Sequence, residues 1–162
     1  MGIHGMDHDL LLTLLRALNG HRVEYVVIGA VAMGLQGVAR ATEDLDLFVR
    51  PTTDNVARLH AALSTIWSDG AIRQIDAAEL AGEFGVVNYV PPTGDLSLDL
   101  MSRLGEVFAF DDIEWHEVDA GEGVMARVAT PRMLYRMKHD TIRLQDRADA
   151  QALKERFGLE DA

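Results

Sequence analysis

Apolar residues recur along this chain in two rhythms, one helical and one alternating. From Asp9 to Leu18 the leucines fall at helical spacing and stop at Asn19-Gly20, which predicts an opening amphipathic helix. "VEYVVIG" (23–29) is β-branched and aromatic and predicts a buried strand, and "AVAMGLQG" (30–37) predicts a short small-residue helix closing at Gly37. "DLDLFV" (44–49) is a second strand. Pro51-Thr52-Thr53-Asp54 then caps a helix from about Asn55 to Trp67.

Farther on, 71–75 is ambiguous, 77–80 predicts a helical turn, and "GVVNYV" (85–90) predicts a strand. Pro91-Pro92-Thr93-Gly94 turns the chain into "DLSLDLMS" (95–102), which alternates as a half-buried strand does. Two more strands, 113–118 and 124–129, flank the Gly121-Glu122-Gly123 turn. Pro131 opens a helix, and a last helix runs over about 145–157. Hairpin-joined strands with helices mainly at the two ends predict a mixed β-sheet flanked by helices, of the α+β class. Tyr25, Met33 and Trp67 fit core positions.

A length of 162 residues suits one domain, with a helix over 1–20, a sheet core over 23–130 and a helical pair over 131–158. The chain has no cysteine, which excludes disulfides, thiolate metal sites and cysteine nucleophiles and suits a reducing cytoplasm. The early leucine run is broken by Thr13 and preceded by Asp7 and Asp9, so it fits neither a signal peptide nor a membrane span. Net charge is −11, which disfavours a broad duplex-binding surface. Against that background, 131–156 holds seven basic residues and four acidic ones, so one end of the molecule is suited to meet an anion.

The chemistry begins in "RATEDLDLFV" (40–49). In a strand, residues two apart share a face, so Asp44 and Asp46 point together while Leu45, Leu47 and Val49 point into the core. Neighbouring carboxylates repel unless a proton or a cation intervenes, and a rigid pair makes a cradle for a divalent metal. The plain alternative is an edge strand whose wet face carries two acids. A third acid is available in "LSLDLM" (96–101), where Asp95, Ser97 and Asp99 share the face opposite the leucines. Asp99 is preferred to Asp95, which follows Pro-Pro-Thr-Gly as a turn residue. The first strand runs into a helix at Ala30, which turns free backbone N–H groups outward and forms a candidate phosphate seat, although a simple tight turn would show the same pattern.

Taken together, "YVVIGAVAMGLQGVARATEDLDLFV" resembles the nucleotidyltransferase superfamily of the DNA polymerase β type. It is most similar to the minimal AbiEii-like branch, known chiefly as toxins of toxin–antitoxin and phage-abortive systems. The matched features are Gly29 after the hydrophobic strand, Ala32 and Gly37, Arg40, Thr42, the Asp44-x-Asp46 pair and a later acid at Asp99. Pro131, Leu134, Lys138, Asp146 and Asp149 follow the order of a C-terminal pattern of the family. Two departures are Gly29-Ala30, where the family usually has Gly-Gly or Gly-Ser, and Gln36, where related sequences often have His.

The resemblance implies transfer of a nucleoside monophosphate from a nucleoside triphosphate to an acceptor hydroxyl, with release of pyrophosphate. Asp44, Asp46 and Asp99 would hold Mg²⁺ or Mn²⁺, and Gly29, Ala30, Arg40 and Thr42 would contact the nucleotide. Lys138 would neutralise phosphate charge, and Asp99 would take the acceptor's proton. The acceptor stays open among an RNA end such as that of a tRNA, a protein hydroxyl and a small molecule such as an aminoglycoside. A toxin role would bring a cognate antitoxin as partner. The rival reading is a catalytically silent nucleotide-binding or regulatory protein, to which Ala30 lends support. Asp146 and Asp149 are read as anchors for Lys138 or nearby arginines, and His139-Asp140 as helix surface; His4 and His8, at i, i+4 spacing beside Asp7, are set aside as a metal pair because a chain terminus is usually mobile.

Overall fold

The structure, a computed structural model, describes residues 3–4, 7–38, 40–82, 85–103, 108–138 and 144–159. The side chains of 3–4, 40–41, 138 and 144–147 lie outside that description. β1 (Ile3–His4) precedes α1 (His8–Gly20), whose N-terminus is capped by the Asp7 carboxylate accepting from the Leu10 N–H at 3.2 Å. α1 buries Leu11, Leu12, Leu14, Leu15 and Leu18, the stripe that its spacing predicts. β2 (Tyr25–Ile28) leads into α2 (Gly29–Leu35), then β3 (Arg40–Ala41) and β4 (Asp44–Val49). α3 (Thr53–Ser64) starts at Thr52, whose hydroxyl accepts from the Asn55 N–H.

The ambiguous segment before α4 (Ala77–Ala81) is a 3₁₀ turn, Gly70–Gln74. β5 (Val86–Tyr89), β6 (Ser97–Met101), β7 (Trp115–Asp119) and β8 (Met125–Ala129) complete the strands, and α5 (Pro131–Lys138) and α6 (Leu144–Phe157) end the chain. Tyr25, Met33 and Trp67 are buried as expected. No helix among the described residues is long and apolar enough to cross a membrane.

The main sheet has six strands in the order β5-β6-β4-β2-β8-β7, and β1 pairs with β3 in a separate parallel ribbon. Hairpins join only the two outer pairs, β5 with β6 and β7 with β8. This differs from a sheet joined throughout by hairpins. β4 is parallel to β6 and β2 is parallel to β8, and parallel neighbours require crossovers, which the intervening helices supply. β2 is buried along its whole length, and Leu47, Phe48 and Val49 are buried in succession, so the middle of the sheet is covered on both faces. Phe48 shares a face with the two acids of its own strand. That face is therefore wet at one end of β4 and closed at the other.

A buried amide fixes the far end of this strand pair. Asn55 Nδ2 donates to the carbonyls of Glu24 at 2.9 Å and Arg50 at 3.0 Å, and its Oδ1 accepts from the Glu24 N–H at 2.7 Å. With Asn55 1% exposed, these backbone groups have no easy recourse to water. Asn55→Ala is expected to lower unfolding free energy by about 3 kcal/mol in urea titrations, because it orphans buried donors and acceptors. Asn55→Asp should fail similarly, since a carboxylate has no N–H to give.

Candidate active site

β4 lies between β2 and β6, so the edge-strand explanation for its two acids does not hold. The register is specific: Asp46 sits opposite Asp99 and Asp44 opposite Ser97 across the parallel β4–β6 ladder. On the other side, β6 sets Asp99 opposite Asn88 of β5. Paired positions in a sheet share a face, so Asp44, Asp46, Ser97, Asp99 and Asn88 all project to one side. Asp95 lies outside the strand, in the bend that precedes it.

Two polar side chains that the sequence reading did not single out hold the outer carboxylates. Ser97 Oγ donates to Asp44 Oδ1, and Asn88 Nδ2 donates to Asp99 Oδ1 at 2.7 Å. The signal for Ser97 was the alternation of 95–99; the signal for Asn88 was an amide inside an otherwise apolar strand. Thr42 acts locally, accepting from the Asp44 N–H at 3.0 Å and donating to the Asp44 carbonyl at 3.1 Å. Its hydroxyl shapes the entry to β4.

Gly29 meets Asp46 from the neighbouring strand. β2 and β4 are antiparallel with Ile28 opposite Asp46, so the start of α2 rises beside that carboxylate. Gly29 has φ +70°, and a Cβ built on it would lie 2.1 Å from Asp46 Oδ2. Glycine is required there both for the left-handed backbone and for the close approach. Ala30 is buried in the first turn of α2, and the N-cap residue, Ile28, supplies no side-chain hydrogen bond to that turn. Gln36, at the other end of α2, donates to the Ala129 carbonyl at 2.5 Å and contacts His116 Nε2 at 2.9 Å, so it ties the helix to β8 and β7.

Lys138 is the last residue of α5, which packs on α6 and α2; its side chain, like that of Arg40 in β3, lies outside the described residues. His139-Asp140 and the side chains of His4 and Asp146 lie outside them too, while Asp149 is buried in α6.

The donor set fits a hard divalent cation, for which carboxylate oxygen is the preferred ligand. Adjacent strands are about 4.8 Å apart and residues i and i+2 about 6.6 Å, spacings from which carboxylates reach a common ion. As the side chains stand, no three His, Cys, Asp or Glu groups among the described residues converge tightly enough to enclose a metal. Asp44 and Asp99 each have an oxygen engaged by Ser97 or Asn88, and each retains a second oxygen. Recesses of about 350–400 Å³ lie along β5, where Asn88 is among the lining residues, beside α3 and beside β8.

Gly29→Ala is expected to destabilise the fold by about 1–2 kcal/mol through the left-handed backbone alone. It should also displace the Asp46 carboxylate. Chemical denaturation reads the first effect, and a changed chemical shift of the Asp46 carboxylate carbon in nuclear magnetic resonance reads the second.

No protein-family model matches this chain, and no curated protein matches it in sequence. Solved structures do match. An antigenic nucleotidyltransferase-like protein from Paracoccidioides brasiliensis aligns at TM-score 0.58 and 15% identity, over 91% of this chain and 75% of that one. A protein from Thermotoga maritima with a provisional nucleotidyltransferase assignment aligns at TM-score 0.56 and 15% identity, over 93% and 91%. The antibiotic-resistance factor ANT(2'')-Ia, in its complex with adenylyl-2''-tobramycin, aligns at TM-score 0.55 and 15% identity, over 93% and 89%. The chain therefore has the mixed-sheet α+β fold of nucleotidyltransferase-like proteins.

Proposed function

We propose that this protein is a metal-dependent nucleotidyltransferase in which Asp44, Asp46 and Asp99 form the metal-binding centre. The observation that carries the reading is the β4–β6 register, which sets Asp46 beside Asp99 on the face that also bears Asp44. The similarity in fold to nucleotidyltransferase-like structures supports it.

Backbone N–H groups at the start of α2 would receive the triphosphate, as helix N-termini receive anions. Asp44, Asp46 and Asp99 would hold Mg²⁺ or Mn²⁺. The bound cation would supply charge neutralisation on the phosphates and acidify the acceptor hydroxyl. Asp99, farthest along the sheet from Gly29, is suited to accept the acceptor's proton as its oxygen bonds to the α-phosphorus and pyrophosphate departs. Lys138 and Arg40 are assigned to neutralising phosphate charge on the strength of sequence order. Ala30 lacks the hydroxyl that a serine would add, so backbone donors carry phosphate contact at that position.

The acceptor is an RNA end such as that of a tRNA, a protein hydroxyl, or a small molecule of the aminoglycoside kind. In the AbiEii-like setting the enzyme would act as a toxin countered by a cognate antitoxin. We place it in the reducing cytoplasm, which a sequence without cysteine suits.

The test is incubation with each labelled nucleoside triphosphate, Mg²⁺ or Mn²⁺, and separate RNA, protein and aminoglycoside acceptors. Label is expected in one acceptor class only when metal is present, and Asp46→Asn should reduce it to background. Absence of transfer, together with nucleotide binding indifferent to Asp44→Asn, would favour the silent or regulatory alternative.

A further inference from the structure

We propose that Asn88 is a positioning residue that aims Asp99 for metal binding, an assignment that rests on the acid-centre reading above. Asp99 is the acid of the three drawn from a different stretch of chain, and a free aspartate on a sheet surface samples several rotamers. Asn88 restricts it. Its Nδ2 donates to Asp99 Oδ1 at 2.7 Å from the directly paired position on β5, and the carboxylate keeps a second oxygen as acceptor.

The fixing residue is itself fixed. β5 is an edge strand, paired through its backbone on one side only. The next residue, Tyr89, provides the anchor on the opposite face. It is 4% exposed, packs edge-on against Trp67 with ring centroids 6.1 Å apart, and donates its hydroxyl to Asp69 Oδ2 at 2.9 Å. Strand alternation then leaves Asn88 facing Asp99.

The chemical type of the partner matters as much as its place. A lysine or arginine beside Asp99 would cancel the charge that attracts a divalent cation, whereas an amide orients the carboxylate and leaves its full charge. Ser97 does the same for Asp44 with a neutral hydroxyl. Neither Asp44 nor Asp99 is in an ion pair with another described residue. The β5–β6 hairpin thus brings in Asp99 and both neutral donors as one unit.

The experiment is a double-mutant cycle on the full chain, with Mn²⁺ affinity measured by calorimetry and by electron paramagnetic resonance. Asn88→Leu is expected to weaken Mn²⁺ binding about tenfold, as loss of an outer partner of a metal ligand does. In the Asp99→Asn background the same change should matter by less than about twofold, because Asn88 acts through Asp99. The side-chain amide of Asn88, followed by nuclear magnetic resonance without metal, should shift when Asp99 is changed to Asn. This last readout does not depend on how well Asn88→Leu folds. Native Mn²⁺ affinity in Asn88→Leu, additive effects in the cycle, or an unmoved amide resonance would each overturn the assignment. Unchanged Mn²⁺ affinity in Asp99→Asn would overturn the acid-centre reading, and this one with it.

Discussion

Like charges on paired positions of a β-sheet work against the pairing that brings them together. In this protein the parallel β4–β6 ladder sets Asp46 against Asp99, and two carboxylates roughly 5 Å apart repel by about 1–3 kcal/mol at the dielectric constants of a protein surface. The ladder holds because its other face is apolar. Leu45, Leu47, Leu98 and Leu100 are fully buried on the other face, and a slip of one residue would turn those leucines out and the acids in. The hydrophobic register thereby enforces an electrostatic arrangement that the acids would not choose.

The elements around the ladder extend this logic. β2 is antiparallel to β4 and ends where Gly29 comes so close to Asp46 that no side chain fits. Asn55 closes the opposite end of the same strand pair with three hydrogen bonds to its backbone. Tyr89 and Trp67 hold the β5 edge. Each contact is structural in itself, and together they hold the acid-bearing end of the sheet in its register.

The same architecture explains the division of labour between the outer and inner parts of the site. Neutral donors from the β5–β6 hairpin orient Asp44 and Asp99, while the start of α2 turns backbone groups toward the same region from the β2 side. On the function proposed above, the groups assigned to the phosphates and those assigned to the cation approach from opposite flanks of β4.

Much of this was legible in the residues. Periodicity located α1 and the alternating strand that bears Asp99, because burial imposes a period of about 3.6 on helices and 2 on strands, while the Thr52 cap and Pro131 marked the starts of α3 and α5. It also put Asp44 with Asp46, and Asp99 with Ser97, since each pair lies within one strand. Strand order was not legible: β4 lies beside β6 and β2 beside β8 although long segments separate them in sequence, and hairpin signals mark only adjacent strands. Asn88 was missed for the same reason, as its partner is set by register between strands. The order of residues is enough to say which groups are available for chemistry and which way each faces along its own strand. Which of them meet follows from the fold, because side-chain alternation is a local property of the backbone, whereas pairing is settled by how the whole apolar core packs.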